Sequence, residues 1–161
     1  MKILVFTEGT IFTHRAWLAL SREEIVRRVK AGERPDDAGT FPIGEAAKKL
    51  QTWERAGIEI VYLTSRRELA EVEKVRAVLQ QYDFPTGQVF FRQTGEEYKD
   101  VAERAMPDMI VEDDCESIGG EVEMTYPRIR PDIKEKIKSI VVKEFSGIDR
   151  LPDEISDLVN Y

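Results

Sequence analysis

Two rhythms of apolar residues alternate along this chain. Short, largely apolar runs stand at 3–6, 58–63, 88–91, 109–111 and 139–142, the first of them unbroken. Runs of that length, bounded by polar turns, read as strands buried on both faces. Between them the apolar residues recur at helical spacing. Ala46, Ala47, Leu50 and Trp53 share one face, Lys48, Lys49, Gln51 and Glu54 lie elsewhere, and Gly57 stops that helix. Ser21 with Glu24 is a capping-box pattern opening a helix that runs to 31–32. Another helix is predicted over 68–82, closed before Pro85. Thr94 with Glu97 makes a second capping-box pattern for a helix ending near Ala105, and a short helix follows Pro131.

Strands alternating with helices predict a parallel sheet covered on both faces. The fold class is therefore α/β, a three-layer Rossmann-like domain spanning 1–161. Residues 11–42 fit no strand–helix unit and read as a flap or rudimentary cap within that domain. A length of 161 residues suits one domain. The net charge of −7 argues against nucleic acid as the main partner, because phosphate backbones call for a basic footprint. No segment approaches the roughly 18–20 apolar residues that span a bilayer, which predicts no membrane partner. MKILVF reads as a strand rather than a leader, so the default location is cytoplasmic. A single Cys and a single His exclude a disulfide framework and a classical zinc site. Trp17, Leu18 and Leu20 in the flap offer either a cover for the sheet edge or a homodimer surface.

In open parallel sheets, ligands bind beyond the carboxyl ends of the strands. Here those ends carry Thr7-Glu8-Gly9-Thr10, Thr64-Ser65-Arg66 and Glu112-Asp113-Asp114, and Lys99 lies near the start of a later helix. Carboxylates suit Mg2+, which prefers hard oxygen ligands. Hydroxyls, backbone N–H groups and a Lys suit a phosphate. Together they describe a magnesium-assisted phosphate site.

In this order the motifs resemble the haloacid dehalogenase (HAD) superfamily of phosphatases and phosphotransferases. ILVF-TEGT stands where that family has a strand followed by Asp-x-Asp-Gly-Thr. IVYLTSR matches its second motif at Thr64 or Ser65, Lys99 in EEYKDVAERA its third, and MIVEDD its fourth at Asp113 and Asp114. The resemblance spans 1–120 and rests on the ordered set rather than on any one motif. It implies phosphate-binding roles for Thr64, Ser65 and Lys99, metal-binding roles for Glu8, Asp113 and Asp114, and a catalytic acid or base in Glu8.

The departure lies in the first motif. Alignment on Gly9-Thr10 puts Phe6 where the family has its nucleophilic Asp, and alignment on the strand puts Thr7 there. Neither supplies a carboxylate nucleophile. The resemblance thus implies a HAD-like protein that binds Mg2+ and a phosphorylated small molecule without the usual aspartyl-phosphate chemistry. Two alternatives stay open: an active phosphohydrolase of altered mechanism, and a non-catalytic interaction or regulatory protein on the same fold. Simpler roles also compete at single residues. Thr64 and Ser65 suit a helix cap, Lys99 a surface ion pair, and the acid pair could be satisfied by backbone N–H groups of the 117–120 turn. His14 reads as a packed or exposed side chain. Cys115, beside the acids, reads as a small, unreactive thiol.

Overall fold

A computed structural model describes residues 1–161, the side chain at position 37 apart. The strands are β1 (Lys2–Phe6), β2 (Phe12–His14), β3 (Thr40–Pro42), β4 (Glu59–Leu63), β5 (Val89–Phe90), β6 (Met109–Asp113) and β7 (Lys138–Val142). The α-helices are α1 (Arg22–Lys30), α2 (Ala46–Arg55), α3 (Leu69–Gln81), α4 (Tyr98–Ala105), α5 (Pro131–Lys134) and α6 (Ile155–Asn160). The main sheet has the order β5-β4-β1-β6-β7, with every neighbouring pair parallel. The chain builds outward from β1 through β4 to β5, then crosses back to place β6 on the other side of β1. That reversal is a topological switch point, where the loops after β1 and β6 diverge to opposite faces and leave a crevice.

The strand interiors are apolar at consecutive positions because successive side chains enter opposite layers. Ile3 and Val5 pack with Leu50, Trp53, Val72 and Leu158 under α2, α3 and α6. Leu4 joins Val101, Ala102 and Ile133 under α4 and α5. These two clusters make the expected three-layer α/β arrangement. Trp53 is fully buried, and its indole N–H donates to the Pro152 carbonyl at 3.0 Å, which fastens the C-terminal segment to α2.

Within 11–42, β2 and β3 pair antiparallel and flank α1, two strands that the hydrophobic pattern does not announce. Ser21 caps α1 as expected, accepting from the Glu24 amide at 3.2 Å. Trp17 turns inward against Ile25 and Val29, while Leu18 stays exposed. The expected Thr94 and Glu97 cap is shifted by one turn. Glu97 is the N-cap of α4 and Asp100 its reciprocal partner, because Gly95 at φ +83° still belongs to the turn. Among the described residues, no helix is long and apolar enough to cross a membrane.

Leu50→Ala should destabilise the protein by about 2–5 kcal/mol in urea denaturation, as expected for an emptied core site. Leu18→Ala, at an exposed position, should change the unfolding free energy by no more than about 0.5 kcal/mol.

Candidate functional site

The crevice is closed at its base by the turn after β1. Ile11 and Phe12 both donate their N–H groups back to the Thr7 carbonyl, at 3.0 and 2.9 Å. Gly9 sits in that turn at φ +79°, and a Cβ there would lie 2.9 Å from Asp113 Oδ2 and 3.2 Å from Glu144 Cγ. Glycine is therefore required twice, by its dihedral and by the approach of two acids. Val5 pairs with Val111 across β1 and β6, and carrying that register forward brings Thr7 level with Asp113. The Thr10 hydroxyl completes the link, donating to Asp113 Oδ2 at 2.7 Å.

Asp113, Asp114 and Glu144 each present a carboxylate oxygen, and these oxygens lie within 4.8 Å of one another. Asp113 is 4% exposed and Glu144 5%. Burial pushes the Asp113 carboxyl up to about 6, and Glu144 and Glu112 add to the rise, while the Thr10 hydroxyl and the Cys115 amide oppose it. Burial also raises Asp114, but Lys143 at 2.9 Å, the Glu144 amide and Arg22 outweigh it and hold this carboxyl below its ordinary value. Glu144 is fixed by Ser117, whose amide and hydroxyl donate to its two oxygens, each at 2.6 Å. The donor set is oxygen only and anionic, which fits a hard divalent cation and not a soft one. Phe145, at φ +62°, and Cys115, at φ +50°, take the left-handed conformation beside these acids. Their backbone strain is concentrated where the carboxylates are set.

Glu8 is not in this group. Its Oε1 accepts from the Thr64 hydroxyl at 2.6 Å, and its Oε2 accepts from the Ser65 amide at 2.9 Å and the Thr7 hydroxyl at 2.7 Å. Thr64, Ser65 and Glu8 are thus brought together, while the third carboxylate beside Asp113 and Asp114 comes from Glu144. Sequence reasoning stopped one strand short of it: β7 ends at Val142, and Lys143-Glu144 follows as the acids follow β6. The same strand-end rule, applied to the fifth strand, would have singled Glu144 out.

Lys99 is placed elsewhere. Its ammonium pairs with Glu97 at 3.0 Å and lines a separate cleft of about 100 Å³ with Arg92, Glu123 and Arg128. Glu112 faces the other way from Asp113, its neighbour along β6, and accepts the amides of Thr125 and Tyr126 at 2.7 and 2.9 Å. Asp113 takes the amide of Cys115 at 2.9 Å rather than one from the 117–120 turn. Burial, followed by the charges of Asp113, Glu112 and Glu144, raises the Cys115 thiol far above its usual range and keeps it protonated. His14 ends β2 and accepts the Ala16 amide through Nδ1 at 2.9 Å.

Over the site lies a cavity of about 310 Å³. Glu8, Asp113 and Glu144 form part of its wall, Arg34 and Arg66 bring positive charge, and Val29 and Phe145 supply apolar surface.

No protein-family model matches this sequence, and a search of curated proteins finds no significant match. Among solved structures, the crystal structure of a class C acid phosphatase from Bacillus anthracis with tungstate bound is similar, with a TM-score of 0.55 and 11% sequence identity. The match covers 91% of this chain and 68% of that one. At that identity the likeness is one of fold, and the fold it shows is HAD-like.

The raised Asp113 carboxyl gives a signed pH dependence. The folded state holds this proton more tightly than the unfolded chain, so the group's contribution to stability is full below about pH 4 and is lost as pH rises through 6. Asp113→Asn removes the titration. In chelator-treated buffer at pH 8 the variant should be more stable than the parent by on the order of 2–3 kcal/mol, and the gap should close towards pH 4 in denaturant melts.

Proposed function

We propose that this protein binds Mg2+ through Asp113, Asp114 and Glu144 and holds a phosphorylated small molecule in the adjoining cavity, without aspartyl-phosphate chemistry. The observation that supports the reading is the convergence of three carboxylate oxygens at the switch point of a HAD-like sheet, two of their residues buried. Like charges buried together are costly unless a cation or a proton offsets them. When bound, Mg2+ would supply the positive charge that offsets these acids and attracts phosphate oxygens.

The chain's own residues account for the rest. Thr64 and Ser65 present a hydroxyl and an amide at the end of β4, donors suited to a phosphate oxygen. Arg34 and Arg66 make the cavity attractive to an anion. The position that would carry a nucleophile is chemically silent. The Phe6 ring packs edge-on against Tyr98, with centroids 5.1 Å apart, and Thr7 is fully buried with its hydroxyl donating to Glu8. Lys99, held by Glu97, takes no part in this reading.

One observation favours a second reading, hydrolysis of a phosphate ester by water with Glu8 as general base. Glu8 lines the same cavity as Asp113 and Glu144. Turnover of p-nitrophenyl phosphate that disappears in Glu8→Gln would select it; absence of turnover in the parent would leave the binding reading.

The binding reading is tested by thermal-shift titration with Mg2+ after chelator treatment. The parent should gain about 3–6 °C at ten times the dissociation constant. Asp113→Asn and Glu144→Gln should each remove that gain, measured against their own metal-free melting temperatures. A gain that survives both substitutions would refute the assignment.

A further inference from the structure

The donors at the end of β4 already hold an anion, and it belongs to the chain itself. Thr64 and Thr7 are completely buried, and both hydroxyls donate to the Glu8 carboxylate, together with the Ser65 amide. The Arg66 guanidinium stands 3.8 Å from the same carboxylate. The Thr64 hydroxyl oxygen also accepts the Arg66 amide at 3.2 Å, which leaves its own proton directed to Glu8. Two buried hydroxyls and a backbone amide, delivered by the ends of two adjacent strands and converging on both oxygens of one carboxylate, make a preorganised oxyanion seat.

We infer that Thr7, Thr64 and Ser65 form an oxyanion seat that Glu8 fills from within the chain, so that a phosphate or carboxylate group enters only by displacing the Glu8 side chain. The phosphate half of this statement rests on the ligand class proposed above; the carboxylate half stands on the hydrogen bonds alone. Glu8 has somewhere to go. Its side chain is 27% exposed and lines the 310 Å³ cavity, so it can turn out of the seat without crossing the core. A tethered carboxylate acts at an effective concentration of about millimolar or above, so a free oxyanion well below that concentration competes poorly. Glu8 is then a specificity device. It rejects small free anions and admits a ligand whose remaining contacts in the cavity offset the loss of the internal one.

The test is oxyanion binding by the full chain in chelator-treated buffer, read by thermal shift with sodium phosphate and, separately, sodium acetate, against matched chloride. Glu8→Ala vacates the seat, and the variant should gain at least about 10-fold in apparent affinity for both anions over the parent. Glu8→Gln keeps the side-chain volume without the charge; it should show a smaller gain and decides the matter if Glu8→Ala does not fold. The double variant Glu8→Ala/Thr64→Val should lose most of the gain. Equal anion binding by parent and variants, or no binding by a folded Glu8 variant, would overturn the inference. A Mg2+ titration of Glu8→Ala separates the two proposals. The Mg2+ shift should persist, since Glu8 lies outside the three-carboxylate group, and its absence from every variant would count against the cation site while leaving the seat intact.

Discussion

Burial of Asp113 with Glu144 against Gly9 is the constraint around which the rest of the site is arranged. A carboxylate 4% exposed, with other acids raising its proton affinity, is an unfavourable object in a protein interior. Its neighbours are chosen to tolerate it. Thr10 and the Cys115 amide each donate one hydrogen bond, Ser117 donates two to Glu144, and Lys143 and Arg22 attend Asp114 at the rim. The backbone gives way as well, with Gly9, Cys115 and Phe145 all in the left-handed region within this small volume. Strain and buried charge are thus gathered at one place, the carboxyl edge of the sheet beside β1 and β6.

Much of the fold was legible because a parallel sheet writes itself as short, largely apolar runs. Val111 and Leu4 need no polar partner phase, since helices cover both sides of the strands they occupy. The β2–β3 pair was not legible for the converse reason. Phe12-Thr13-His14 and Thr40-Phe41-Pro42 are too short and too mixed to show a period, and only tertiary packing pairs them. The α4 cap was misplaced by one turn because Thr94 and Glu97 satisfy the same pattern that Glu97 and Asp100 satisfy better, and Gly95 decides between them through its dihedral. The C-terminal helix α6 carries little signal of its own; Leu158 is drawn into the core by contacts the chain makes only once folded.

The site divided along similar lines. Strand-end logic located Glu8, Thr64, Ser65, Asp113 and Asp114, which all lie at the carboxyl edge of the sheet. It did not reveal which of them touch. Glu8 is joined to Thr64 and Ser65 by hydrogen bonds rather than to the acid pair, and that choice is made by side-chain reach. Glu144 comes from the loop after the last strand, beyond the span of the motif resemblance, and is brought in by the Phe145 amide donating to the Gly9 carbonyl at 2.7 Å. Lys99, at the sequence position of the third motif, pairs with Glu97 and lines a separate cleft.

The two-residue length of β5 has a consequence outside the crevice. A sheet ending in a long, flat, apolar strand offers a template on which other chains can add. Val89 and Phe90 pair with β4 and then the chain leaves the sheet, so this border exposes too little backbone to seed such growth. At the opposite border of the main sheet, β7 begins at Lys138 and is followed by Lys143, a charge at each end of that edge strand. The parallel core, slow to assemble because its strand partners are distant in sequence, is thereby shielded from intermolecular pairing while it forms.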